Sequence, residues 1–237
     1  LRAKGSEPRQ PQAPECADCS DRGFFRFDVA MGHPNFGRMF PCPKCNAAGV
    51  AAMCGLYPHE RSINVHDLGA DKRPGAQAMI KAGDAFIGNP VGFLSVCGSY
   101  GNGKTILLMG IVNACLAKGI EARYLTAQEL KDYLYQAFDK TILDTDRGRV
   151  ARLAALPVLA IDEFHTAHNT PYAEDMQKHL IDERYRNKHA LGTVFAWNGD
   201  ADTIPWPMVR SRMSEFPLIH NTDDDMRAVI GEAKAER

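Results

Sequence analysis

The run Gly98-Ser99-Tyr100-Gly101-Asn102-Gly103-Lys104-Thr105 constrains this chain more than any other stretch. Its glycines, lysine and hydroxyl residue have the spacing of a phosphate-binding loop, in which consecutive backbone N–H groups and the N-terminus of the following helix wrap a polyphosphate. Such a loop works only between a strand and a helix, and the flanks supply both. Residues 92–97 form an apolar run of strand length. From Lys104 to about Lys118, Leu107, Leu108, Ile111, Val112 and Leu116 recur at helical spacing before Gly119 ends the helix. Gly98, Tyr100, Gly101, Asn102 and Gly103 are expected to cradle the phosphates of ATP. Lys104 would reach the β and γ phosphates, and the Thr105 hydroxyl would ligate Mg²⁺.

Beyond Asn89-Pro90, strand and helix patterns alternate, which predicts a parallel sheet with crossover helices. Further strands are expected at 122–125, 157–161, 193–197 and 217–220. Helices are expected at about 126–138, where Thr126 and Glu129 form a capping-box pattern, and at 149–156, 171–188, 207–215 and 223–235. The strand at 157–161 runs straight into Asp162-Glu163. A buried strand ending in two carboxylates suits a second half of the site, with Asp162 holding Mg²⁺ through water and Glu163 polarising an attacking water. The strand at 193–197 leads to Asn198, which reads either as a simple turn with Gly199-Asp200 or as a contact to that water and the γ-phosphate.

From Gly92 to Arg227 the chain resembles the DnaC/DnaI/IstB-type branch of AAA+ ATPases, the helicase loaders and transposition helpers. The resemblance is carried by residues 93–105, by Ile161-Asp162-Glu163-Phe164, by Ile181-Asp182-Glu183-Arg184-Tyr185 and by 193–198. It implies an α/β fold, a P-loop AAA+ parallel sheet sandwiched by helices. It also makes Asn198 a sensor residue, although Trp197 stands where the family has a small residue. Val209-Arg210-Ser211-Arg212-Met213 matches the segment of the arginine finger, with Arg212 the better candidate, and Asp225-Met226-Arg227 matches the second sensor, placing Arg227 near the phosphates. A finger acts on a neighbouring subunit's ATP, so the resemblance implies self-association through the ATP site.

Ahead of this region the cysteines organise a separate module. Of seven in the chain, Cys16, Cys19, Cys42 and Cys45 form two C-x-x-C pairs, each followed by glycine at the same offset, Gly23 and Gly49. Four thiolates in two turns suit tetrahedral structural Zn²⁺, with a redox dithiol as the alternative. Short strands at 24–29 and 37–40 would make it a small zinc-binding β-hairpin module. Binding of ~10–16 kcal/mol orders a unit too small for its own core. Cys54, Cys97 and Cys115 read as small buried apolar residues. The expected organisation is a disordered tail at 1–14, a zinc-binding module at 15–50, a linker and helix at 51–88, and an ATPase domain at 89–237.

Composition narrows the functional classes. A formal net charge of −1 over 237 residues excludes a globally basic histone-like binder. No apolar run approaches the roughly 20 residues of a membrane span, and the polar N-terminal stretch has no apolar signal region, so a cytoplasmic location is expected. Arg147, Arg149 and Arg152, and Lys178, Arg184, Arg186 and Lys188, are either DNA contacts or solvated helix faces. Tyr133 and Tyr135 are either stacking residues or, for Tyr133, core. The family resemblance implies a helicase loader that binds ATP, Mg²⁺ and single-stranded DNA as an oligomer and delivers or opens a replicative DNA helicase ring, its zinc module contacting the helicase. The competing reading is a transposition helper ATPase acting with a transposase on double-stranded DNA. A DNA-binding zinc ribbon competes for the module.

Overall fold

A computed structural model describes residues 16–20, 22–26, 28, 30–31, 37, 39–42, 44–46, 49, 53–69, 71, 73–135, 146–164, 170–204 and 206–226. The expected tail at 1–14, Arg227 and most of the expected helix at 223–235 lie outside these residues, as do the side chains of Tyr135 and Arg147.

The first unit is a two-stranded antiparallel ribbon, β1 (Phe24–Phe25) and β2 (Phe40–Pro41), with Phe25 opposite Phe40. The second is built on a sheet of five strands: β3 (Gly92–Gly98), β4 (Ala122–Thr126), β5 (Val158–Asp162), β6 (Gly192–Ala196) and β7 (Leu218–Asn221). Their spatial order is β4-β5-β6-β3-β7, and every neighbouring pair is parallel. Every residue of β3, β5 and β6 is buried, as expected of parallel strands covered on both faces.

Alternation along the strands divides the core into two layers. Leu94, Val96, Val158, Ala160 and Val194 face α1 (Pro74–Gly88) and α2 (Lys104–Ala117). Phe93, Cys97, Leu159, Ile161 and Phe195 face the opposite layer, formed by α3 (Ala127–Tyr135), α4 (Asp146–Ala154), α5 (Pro171–Arg186) and α6 (Pro207–Met213). Each fully buried leucine, such as Leu107 or Leu180, contributes about 1.5–3 kcal/mol of burial free energy. The capping box appears at the start of α3: Thr126 N–H donates to Glu129 Oε2 at 2.8 Å, and Glu129 N–H donates to Thr126 Oγ1 at 3.1 Å.

The region read as a linker before α1 is packed. Cys54, Leu56, Val65 and Leu68 are buried in the same core layer as α1 and α2. Asn113 of α2 donates through Nδ2 to the carbonyls of Glu60 and Ile63, each at 2.8 Å. The anchors are spaced irregularly, so the segment has no periodicity to read, and its turns at Pro58–Glu60 and Val65–Leu68 resemble loose loop.

Candidate nucleotide-binding site

The strand order puts the C-terminal ends of β3, β6 and β5 side by side, where ligands of open parallel sheets bind. The loop 98–105 leaves β3, Asn198 follows β6, and Asp162-Glu163 ends β5. Residues 100–105 of the loop, Asp162, Glu163 and Asn198 line a cleft of about 190 Å³ with Trp197 and Met226. Lys104 is buried, and its Nζ lies at the loop mouth, donating to Gly98 O at 3.2 Å, Ser99 O at 2.5 Å and Asn102 Oδ1 at 3.1 Å. Thr105 Oγ1 donates to Asp162 Oδ2 at 2.7 Å, joining the two sequence motifs. The N–H of Glu163 donates to Asp162 Oδ1 at 2.8 Å, and Glu163 itself has φ 53°, uncommon for a non-glycine residue. Phe164 N–H donates to Ala196 O at 2.9 Å, fixing that turn against the end of β6. Tyr100 projects outward from the loop, largely exposed.

Residues far away in sequence brace the loop. Asn102 Nδ2 donates to Asn221 O at 2.9 Å, and Asn221 Nδ2 donates back to Asn102 O at 3.1 Å, so each buried side chain bonds the other residue's backbone carbonyl. At Gly98, φ is +138° and a Cβ would lie 1.9 Å from Asn221 O, so the loop can begin only with glycine. Arg73 donates to Leu68 O at 2.7 Å and Asn102 O at 3.2 Å. Asp223 accepts from Gly75 N at 2.9 Å and Ala76 N at 2.7 Å, capping α1, whose own N-cap position, Arg73, has no acceptor. Met226 N–H donates to Gly101 O at 2.9 Å. Arg73, Asn221 and Asp223 had no local signal: Arg73-Pro74-Gly75 reads as a break, and the cap arrives from the other end of the chain.

No family model and no curated protein matches the sequence. Solved structures do. They include replication initiator DnaA bound to AMPPCP and single-stranded DNA, with 16% identity, a TM-score of 0.62, and coverage of 76% of this chain and 56% of that one. The DnaC helicase loader gives 20%, 0.60, 70% and 100%, and DnaI gives 18%, 0.58, 70% and 95%. The chain has an AAA+-type fold. At these identities the likeness is one of fold, and the chain spans about half the length of the DnaA structures, 52% and 56%.

On the AAA+ frame, Arg212 and Arg210 lie on α6. Arg212 is tied within its own subunit: its Nη2 pairs with Asp182 Oδ1, and its guanidinium sits 5.1 Å from the centre of the Tyr185 ring. Arg210 reaches Asp202 Oδ1 at 3.4 Å and is the more exposed of the two. Arg227 lies outside the described residues. Two of the cations considered as DNA contacts, Arg184 and Arg149, are buried, and others are held in pairs nearer the surface. Arg184 is fully buried, donating to Thr193 Oγ1 at 2.8 Å and to the carbonyls of Leu153, Leu156 and Gly192 at 2.8, 2.8 and 2.5 Å. Burial pulls its guanidinium down to about 9, still charged at neutral pH. Arg149 is buried, donating to Tyr133 O at 2.9 Å, and Arg152 donates to Tyr133 Oη at 3.1 Å. Lys178 pairs with Glu174 at 3.3 Å, Arg186 with Asp182 at 3.0 Å, and Lys188 with Glu215 at 2.6 Å. The helical charge pattern cannot distinguish a solvated face from a side chain folded onto backbone carbonyls.

In the N-terminal unit, the Sγ atoms of Cys16, Cys19, Cys42 and Cys45 all lie within 4.8 Å of one another, with Cys16 to Cys42 at 3.6 Å and Cys19 to Cys45 at 3.2 Å. A zinc tetrathiolate has Zn–S near 2.3 Å and hence S···S of about 3.8 Å, so the donor set fits Zn²⁺. Asn46 braces the second turn, accepting from Gly49 N at 2.9 Å and donating to Gly23 O at 3.0 Å. Cys54, Cys97 and Cys115 are buried apart from this cluster. No described helix is long and apolar enough to cross a membrane.

Proposed function

We propose that the chain is an ATP-dependent helicase loader of DNA replication, binding Mg·ATP, assembling on single-stranded DNA as an oligomer and delivering or opening a replicative helicase ring. The observation that carries the ATPase part is the 2.7 Å bond from Thr105 Oγ1 to Asp162 Oδ2, which brings a phosphate-loop helix and an acidic strand end to one point. Lys104, now satisfied by loop carbonyls, exchanges them for phosphate oxygens. Thr105 and Asp162 hold Mg²⁺, which when bound neutralises charge on the phosphates. Glu163, exposed at the cleft, accepts a proton from the attacking water, and Asn198 orients that water from the end of β6. Arg212, from a neighbouring subunit, supplies positive charge to the transition state.

The loader part is supported by the fold likeness to DnaC and DnaI, which takes in 100% and 95% of those chains, and by a cysteine cluster suited to zinc ahead of the fold. Fluorescent ATP binding tests the site. Lys104→Ala should weaken binding by ~100-fold or more, whereas Glu163→Gln should bind normally and lose turnover by ~10²–10³-fold. Capture of a replicative helicase by Glu163→Gln with ATP, lost on Cys42→Ser/Cys45→Ser substitution, is the expected partner result. Capture of a transposase alone would replace the loader with the transposition helper.

A further inference from the structure

We infer that Tyr124 is a positioning residue of the nucleotide site, fixing the Asp162 carboxylate so that Thr105 can present its oxygen to the divalent cation; this rests on the Mg·ATP reading above. Tyr124 belongs to no motif. It lies on the edge strand β4, opposite Ala160 of β5, two residues before Asp162. The register puts Ala160 and Asp162 on one face of β5, and the phenol extends along that face to the carboxylate. Its buried hydroxyl donates to Asp162 Oδ2 at 3.0 Å, and among the described residues it has no other partner. A buried hydroxyl is costly to place unless it is needed by what it bonds, and phenylalanine would pack the same space.

The carboxylate's acceptor sites are then allocated. Oδ2 accepts from Thr105 Oγ1 and from Tyr124, which uses both of its in-plane lone pairs. Oδ1 accepts from Glu163 N and keeps one site for a cation-bound water. With its proton committed to Oδ2, the Thr105 oxygen turns its lone pairs to the cation. Without the phenol, Oδ2 has a spare site and the carboxylate is free to rotate about its broad terminal torsion.

Tyr124 is itself fixed from the outer side. Its N–H donates to Cys54 O at 2.7 Å. Gly55 has φ +80°, and a Cβ there would lie 2.0 Å from Tyr124 O, so the packed segment after the cysteine module presses directly on this residue.

The test is Tyr124→Phe in the full chain. The Mg²⁺ concentration for half-maximal ATP turnover should rise about tenfold, while fluorescent ATP affinity in excess EDTA stays within about twofold. A purely structural role would lower the melting temperature without that split. In the Asp162→Asn background, Tyr124→Phe should leave the Mg²⁺ dependence of ATP affinity unchanged, because the effect passes through the carboxylate. An unchanged Mg²⁺ requirement, or a shift that persists in Asp162→Asn, overturns the inference. A wild-type chain that fails to bind Mg·ATP overturns the site reading, and this inference with it, in a measurement made before any variant.

Discussion

Arg184 carries a full charge into the interior and is tolerated because its planar fork meets a hydroxyl and the carbonyls at the ends of α4 and β6. Those carbonyls lie at a helix end and in the turn after it, where backbone donors run short; Leu153 O accepts a long bond from Leu156 N at 3.4 Å beside the shorter one from Arg184. Arg184→Ala should therefore cost ~3–5 kcal/mol of unfolding free energy, read as a lower urea midpoint with unchanged slope. Arg184→Lys, which keeps the charge but has only a point donor, should fall between the two. If Arg184 served DNA instead, both substitutions would leave the midpoint in place and weaken DNA binding. The same logic applies to Arg149: its proximity to Tyr133 comes from packing, not from an exposed strip of charge.

At the scale of elements, what was legible in the sequence is what short spacing encodes. The phosphate loop, the Asp162-Glu163 strand end, the Thr126–Glu129 box and the cysteine pairs each lie within a few residues, and the alternation from Asn89 onward predicts the parallel sheet. What was not legible depends on long-range meetings. Asn102 and Asn221 are 119 positions apart, and Asp223 caps a helix start 148 positions upstream. Residues 53–69 pack through apolar anchors without periodicity, and Tyr124 finds its acceptor 38 positions on, on the neighbouring strand. The cysteine ribbon is the opposite case, two strands of two residues each, too small to hold itself by burial. Chelation should therefore unfold it while sparing the rest: one zinc per chain is released, backbone amides near Cys16–Cys19 and Cys42–Cys45 lose hydrogen-exchange protection, and those of β3, β5 and β6 keep it. Loss of protection in the large sheet as well would mean the two units fold as one.

For the whole molecule, the proposed trans role of Arg212 makes the site incomplete in one subunit, and the cis pairing with Asp182 and Tyr185 sets a condition on completing it. An arginine already paired leaves its partner only for a stronger field, and a neighbour's triphosphate supplies one. Assembly and turnover are then one event, and mixing separates them from folding defects. Glu163→Gln keeps Arg212 but has no base, whereas Arg212→Ala keeps Glu163 but has no finger. Each alone should lose turnover by ~10²-fold or more, yet an equimolar mixture should recover about a quarter of wild-type activity, because one interface in four pairs an intact Glu163 with an intact Arg212. A finger acting within its own subunit gives no recovery in the mixture. Recovery with Arg210→Ala in place of Arg212→Ala moves the role two residues earlier on the helix, to the more exposed arginine that pairs with Asp202.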